Sequence, residues 1–359
     1  TDYAKRLGED ADIFAAALTG KSSTAGMLAY LSPFNPAAPR VASNPVAVAK
    51  MNSQYQLQGN IEVPTIQIAA TADHITPPGA AQYLIDQYEA SVVHVDTDEN
   101  GLVPSALSEA IKTVRAAGRK IKFLYTIPNY QNPSGVLLPA SRRTEILKIC
   151  REAGIFVVED NPYGLLGFDK PSPNAMRAED SENVIYLGSF SKTIAPGLRV
   201  GWALLPPSLK EKLVIASESS ILCPSNFTQL TISSYLADQP WRDQIASFCE
   251  LYKVRRDAML ESLDEHFPAT AQWTKPGGGF YVWVTLPPEI DTTAMMPKAI
   301  VAKVAYVPGT AFYADGFGSW SLRLSYCYPT PERIREGVKA LGGVIKQEMA
   351  GRKGFELKG

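Results

Sequence analysis

Cysteine and histidine are scarce, with four Cys and three His among 359 residues. Cys150, Cys223, Cys249 and Cys327 are far apart with no CxxC pair, and His74, His94 and His266 are scattered. That spacing gives neither a disulfide framework nor a zinc ligand set, so a reduced, cytoplasmic setting is expected. An excess of one charge is missing as well. Lys+Arg 35 and Asp+Glu 36 are mixed along the chain, for a formal net charge of −1. Without a basic stripe, nucleic acid and anionic membrane surfaces are not expected partners. Long hydrophobic runs are also lacking: stretches such as residues 155–158 end well before the roughly 18–20 residues of a membrane span. The first residues, Thr1-Asp2-Tyr3-Ala4-Lys5-Arg6, lack an apolar signal core. What remains is a globular composition, 45% hydrophobic and 20% charged, on a chain long enough for two lobes and a sizeable core.

The middle of the chain alternates short β-branched runs with amphipathic helical patterns, the signature of parallel α/β units. Residues 120–126 read as a strand. A Pro/Asn/Gly loop follows, then a helix from Ser141 as N-cap to a Gly154 stop. Residues 155–158 read as a strand buried on both faces, ending in Glu159-Asp160. Residues 184–187 form the next strand, ending in Gly188-Ser189-Phe190-Ser191-Lys192. Another covers 200–205, after which Ser208-Leu209-Lys210-Glu211 reads as a capping box opening a helix. In open α/β sheets ligands bind beyond the carboxyl ends of the strands, which places Asp160, Ser189 and Lys192 where a cofactor would lie. After Pro240 an amphipathic helix from Trp241 to about His266 is long enough to bridge two lobes. Beyond it a hairpin over 277–284, a strand over 304–307 and a last helix from Pro331 to about Met349 suggest a smaller α+β lobe. The expected division is an N-terminal segment 1–50 joining the small domain, a large domain 51–250 and a small domain 251–359.

Five motifs stand in order: Asn129-Tyr130-Gln131-Asn132-Pro133-Ser134-Gly135, Asp160-Asn161-Pro162-Tyr163, Ser189-Phe190-Ser191-Lys192, Gly197-Leu198-Arg199-Val200-Gly201 and Leu322-Arg323-Leu324-Ser325. Seen singly, each has an ordinary explanation: a turn, a helix cap, a solvated lysine, an edge ion pair. Together they resemble the class I/II aminotransferases of the fold type I pyridoxal 5'-phosphate (PLP) enzymes, in the branch of aminoadipate, kynurenine and aromatic aminotransferases. The resemblance runs from about Ser91 to the C-terminus. It implies an α/β fold with a three-layer, mainly parallel large domain and a smaller α+β domain, and a homodimer with sites at the interface.

The resemblance also implies roles. Lys192 carries the cofactor covalently and then serves as the base at the substrate α-carbon. Asp160 faces the pyridine nitrogen, and Asn132 and Tyr163 donate to the phenolate oxygen. Ser189, Ser191 and Arg199 hold the phosphate. Arg323, with Asn132, takes the α-carboxylate of an amino acid whose amino group passes to a 2-oxo acid. The glycine hairpin Lys275-Pro276-Gly277-Gly278-Gly279-Phe280-Tyr281 is matched too, as a turn without chemistry.

Before Ser91 the sequence departs from that family. Residues 65–73 look like the strand before the phosphate-gripping turn, and Thr76-Pro77-Pro78-Gly79-Ala80 like the position of the ring-stacking segment, yet only 74–75 separate them. Three helical turns need about 11 residues, so that unit is contracted or missing from the sequence. Residues 31–39 stand where a substrate-contacting loop is expected, without its glycine motif. Asp73-His74 beside an apolar strand suggests an α/β-hydrolase fragment, but no Gly-x-Ser-x-Gly elbow exists. A same-fold lyase, decarboxylase or racemase shares the cofactor anchors. A non-catalytic ligand sensor is the other alternative, disfavoured because the sequence shows no helix-turn-helix with a basic surface.

Overall fold

Residues 91–356 are described by the computed structural model. The readings placed at 1–50, 31–39, 65–73, 73–74 and 76–80 lie outside the described residues. The described chain begins with an antiparallel pair, β1 (Thr97–Asp98) and β2 (Gly101–Leu102). Helix α1 (Pro104–Ala116) follows, with proline in its first turn, where an amide proton has no helical partner.

Four segments then build one sheet in the order β3 (Phe123–Thr126), β4 (Phe156–Asp160), β5 (Val184–Ser189) and β6 (Gly201–Leu204). The first three are parallel, and β6 returns antiparallel against β5. Helix α2 (Ala140–Glu152) connects β3 to β4, and the one-turn α3 (Met176–Glu179) lies between β4 and β5. Period-two alternation divides the sheet. Leu124, Val157 and Val184 point into a core with Leu107 and Ile111 of α1, Ile146, Leu147 and Cys150 of α2, and Met176 of α3. Phe156, Val158 and Asp160 point the other way and are half-buried. The expectation that this strand is buried on both faces is therefore corrected.

Two helix starts also differ from the sequence reading. α2 is capped by extended Pro139, which puts Ser141 inside the first turn. α4 (Pro207–Ile221) is capped by Pro206 with no side-chain bond, so the Ser208–Glu211 box does not form. In both, a proline sets the extended backbone before the polar residue can cap.

After α5 (Asn226–Asp238), the long α6 runs over Trp241–His266, as its periodicity indicates. Ile245 and Cys249 in its first half pack on residues following β3 and β4. Ala258, Met259 and Leu263 in its second half enter the core of the second lobe. That lobe is an antiparallel sheet ordered β7 (Gln272–Trp273), β8 (Tyr281–Thr285), β10 (Ser321–Ser325), β9 (Val307–Pro308). With it go α7 (Thr292–Val301) and α8 (Pro331–Glu356). The strand expected over 304–307 is shorter and later, because Lys303 turns the chain at φ +63. The last helix continues past Met349 to Glu356. Burial of Val282, Val284, Leu322, Leu341 and Ile345, each worth about 1.5–3 kcal/mol, welds helices to sheet.

Candidate active site

The carboxyl ends of β3, β4 and β5 carry the sequence-selected residues. Asp160 ends β4 in register with Leu187, and Ser189 ends β5 two residues further on, so the two share a face. Tyr125 pairs with Val158 and falls on that face as well. Its hydroxyl donates to Asp160 Oδ2 at 2.6 Å. Burial, and then the Asp160 charge, push the Tyr125 phenol well above the ordinary tyrosine value, so it remains the proton donor.

The connection from β5 to β6 gathers Ser189, Ser191, Lys192 and Arg199 on one loop. Ser189 Oγ accepts from the Ser191 amide at 3.1 Å, and the Phe190 amide donates to Val200 O at 3.1 Å, closing the loop's neck. Arg199 has a left-handed backbone, φ +52, after the 3-10 turn Pro196–Leu198, and its Nη1 donates to Pro196 O at 3.4 Å.

Asn132 sits in the loop after β3, which folds tightly around Gly135. That glycine has φ +70, and a Cβ on it would lie 2.6 Å from Tyr281 O. The loop is anchored from below by Arg143 of α2, a fully buried guanidinium. Its Nη2 donates to Asn129 Oδ1 at 2.6 Å, and its Nε to Leu138 O at 2.9 Å. Asn129 Nδ2 donates in turn to Asn161 Oδ1 at 2.8 Å, linking the loop after β3 to the residue following Asp160.

Tyr163 lies in the loop after β4, which the glycine hairpin clamps. Phe168 N donates to Gly277 O at 2.8 Å and Gly279 N to Leu166 O at 2.9 Å. Gly278 and Gly279 let this strand of the second lobe lie directly on Tyr130. The Tyr163 ring meets Phe280 and Tyr281 edge-on at 5.6 and 6.0 Å. Burial first, then the neighbouring Tyr281 phenol, push its hydroxyl well above the ordinary value.

Arg323 comes from the middle of β10 and is 3% exposed, which removes the reading of a solvated strand residue. Its guanidinium lies 4.0 Å over the Tyr281 ring and 5.1 Å from that of Phe312. Nη1 donates to Asn132 Oδ1 at 2.7 Å. Burial lowers its pKa from the free value, opposed by the Tyr281 and Tyr163 phenols.

Three of the predicted residues, Asn132, Tyr163 and Arg323, thus form one cluster with Tyr281. Asp160 stands within electrostatic reach of Tyr163, while the β5–β6 loop residues form a second group beside it in the sheet. Sequence reasoning missed Tyr125, Tyr281, Phe312 and the Arg143–Asn129–Asn161 chain. Only Tyr125 carried a readable signal, its strand parity with Asp160. Asn132 Nδ2 and the Tyr163 hydroxyl are buried and have no hydrogen-bond partner among the described residues. Two such atoms facing a common cluster fit an oxygen acceptor like the phenolate of PLP, while Asp160 and the Ser189–Arg199 loop fit its ring nitrogen and phosphate.

The chain is similar to known proteins in sequence and in fold. The chain is 42% identical over 271 residues to aromatic-amino-acid aminotransferase 1 of Thermococcus litoralis, covering 75% of this chain and 65% of that protein. The chain spans about 65% of the length of the curated relatives it matches. A Pyrococcus horikoshii kynurenine aminotransferase, solved in complex with PMP, is similar at TM-score 0.72 and 40% identity, covering 75% of this chain and 67% of that one. An alpha-aminoadipate aminotransferase of Thermus thermophilus, complexed with N-(5'-phosphopyridoxyl)-L-leucine, is similar at TM-score 0.70 and 34% identity, covering 77% and 70%. The two solved structures share its fold. The family model described as "Aminotransferase class I and II" matches residues 84–341, well over half of the sequence, and the chain belongs to that family.

Proposed function

We propose that this chain is a PLP-dependent aminotransferase that moves the amino group of an L-amino acid to a 2-oxo acid such as 2-oxoglutarate. The observation that carries the reading is the buried Asn132–Arg323 pair with two unsatisfied donors beside it, Asn132 Nδ2 and Tyr163 OH. The names of the relatives support an aromatic or 2-aminoadipate-like donor.

Bound here, PLP supplies an electron sink for the pair left when the substrate α-carbon loses its proton. Lys192 would hold the cofactor covalently through its ε-amine, and its amine would move the proton at that carbon. Asp160 would be the carboxylate that faces the ring nitrogen. Ser189, Ser191 and Arg199 bind the phosphate dianion with hydroxyls and a guanidinium. Arg323 takes the α-carboxylate by its planar fork and thereby orients the Cα–H bond.

A homodimer is part of the same reading. Trp202 and Leu204 on β6, Val214 and Ile215 on α4, and Phe227 and Leu230 on α5 are exposed apolar side chains on three consecutive elements, which supports a covering partner. A cytoplasmic location is supported by four free cysteines, and no helix among the described residues is long and apolar enough to cross a membrane.

The test mixes the protein and PLP with an amino-acid panel and 2-oxoglutarate. Glutamate formation, with a colour change of the bound cofactor on adding amino acid alone, is the expected result. If neither occurs with any amino acid, the assignment fails.

A further inference from the structure

We propose that Tyr125 is a positioning residue for the cofactor, acting through Asp160. The inference rests on the reading of Asp160 as the partner of the cofactor's ring nitrogen. It adds to that reading a second group that decides how the carboxylate is held.

The geometry begins with strand parity. β3 and β4 are parallel, with Tyr125 opposite Val158, so the phenol leaves the sheet on the side of Asp160 and one step behind it. From there it reaches Asp160 Oδ2 at 2.6 Å, the length of a charge-assisted O–H to carboxylate bond. The ring itself packs against the cluster of Ile127, Tyr130, Tyr163 and Phe280 at the junction of the lobes, which fixes where the hydroxyl points.

A terminal carboxylate rotates about a broad torsion unless something holds it. Pinning one oxygen sets the plane of the group and hence the direction of the other. A hydroxyl donated to the carboxylate also gives that oxygen a fixed partner on the face of the sheet where the site lies. The phenol is suited to this because its own ionisation is suppressed by burial and by the neighbouring charge. It gives a hydrogen bond without taking the carboxylate's role as acceptor.

The test compares Tyr125→Phe, Asp160→Asn and the double variant in the full chain. Phenylalanine keeps the ring and its packing and removes only the donor. The readouts are PLP affinity by fluorescence titration and the absorbance spectrum of the bound cofactor. Tyr125→Phe is expected to weaken PLP binding about tenfold, the scale of a hydrogen bond to a charged group, and to shift the absorbance maximum. In the Asp160→Asn background the same substitution is expected to change neither. An unaltered affinity and spectrum in Tyr125→Phe overturns the proposal, and so does an equal loss in both backgrounds, which would mark a role in packing alone. A wild-type chain that binds no PLP overturns the cofactor reading itself, and this inference with it.

Discussion

Arg323 and Asn132 stand 191 residues apart in sequence, one on a strand of the second sheet and the other in a loop of the first, and are joined by a 2.7 Å hydrogen bond from Nη1 to Oδ1. The strand β10 and the loop after β3 thus meet at one buried polar contact. A guanidinium already engaged on one edge by a neutral amide and covered by Tyr281 and Phe312 is suited to a planar anion.

Arg323→Lys follows from that contact. Lysine keeps the charge but loses the fork and the stacking on Tyr281. The expected outcome is a rise of roughly 10- to 100-fold in KM for the amino acid, matching about 1.5–3 kcal/mol for a hydrogen bond to a charged group. Steady-state kinetics with both substrates varied would show it, and an unchanged KM would remove Arg323 from carboxylate binding.

Lys192→Ala removes the amine on the β5–β6 loop. Borohydride treatment of the variant with PLP is expected to leave no covalent adduct by mass spectrometry, while the wild type gains one. An adduct still found on the variant would show that another lysine is the anchor.

Asp160→Ala should reduce turnover more than cofactor binding, because the phosphate contacts proposed for Ser189, Ser191 and Arg199 would persist. A fall in kcat on the order of 10²–10⁴ is the expectation, the range typical of lost proton-handling assistance. A variant that loses affinity but keeps kcat at saturating PLP would refute it.

Glu159 supplies a pH test. Its side chain is fully buried on the opposite face from Asp160 and accepts from the amides of Met176 and Arg177, both at 3.0 Å, at the start of α3. Burial raises its pKa above the ordinary value of 4.5, and those two amides only partly offset it. Folding therefore disfavours the charged form. The contribution is fully favourable below 4.5 and is lost as pH rises through the raised folded value. Relative to Glu159→Gln, the wild type is expected to gain stability as pH falls from neutral into the ordinary glutamate range. Tm differences between the two proteins across that window measure it, and a flat difference would contradict it.

Two glycines separate backbone strain from collision. Gly135 and Gly154 both have positive φ, +70 and +62, but a Cβ at Gly135 meets Tyr281 O at 2.6 Å while one at Gly154 meets nothing within 4 Å. Gly154→Ala should cost about 1–2 kcal/mol, the left-handed penalty alone. Gly135→Ala should cost clearly more and weaken cofactor binding. Denaturant unfolding of the two variants decides it, and equal losses would show that the Asn132 loop tolerates displacement.

The strand-end residues were legible from sequence because a parallel sheet places ligands beyond its carboxyl edge, a rule that needs only the run of apolar residues before Asp160 and Ser189. α6 was legible closely at both ends, since Pro240 opens it and its periodicity runs on to about His266. Helix starts at Pro139 and Pro206 were misplaced because polar capping signals compete with proline, and proline fixed the local backbone. The aromatic walls around Arg323 could not be read, because they depend on the antiparallel register that sets Arg323 opposite Trp283 and brings Tyr281 beside it. Tyr125 needed the register of β3 on β4, one residue either way reversing its face.

The stacking of Arg323 has a thermodynamic consequence for whatever binds it. A free arginine carries about 2 kcal/mol of rotamer entropy, and here that freedom is surrendered when the chain folds, against Tyr281, Phe312 and Asn132. In the carboxylate-binding role proposed for Arg323, an arriving anion would find a rigid receptor and lose mainly its own mobility. Selectivity at this position would then be set by the shape of a finished pocket, and a ligand with its anion displaced by even one carbon would meet a guanidinium held in place by Tyr281, Phe312 and Asn132.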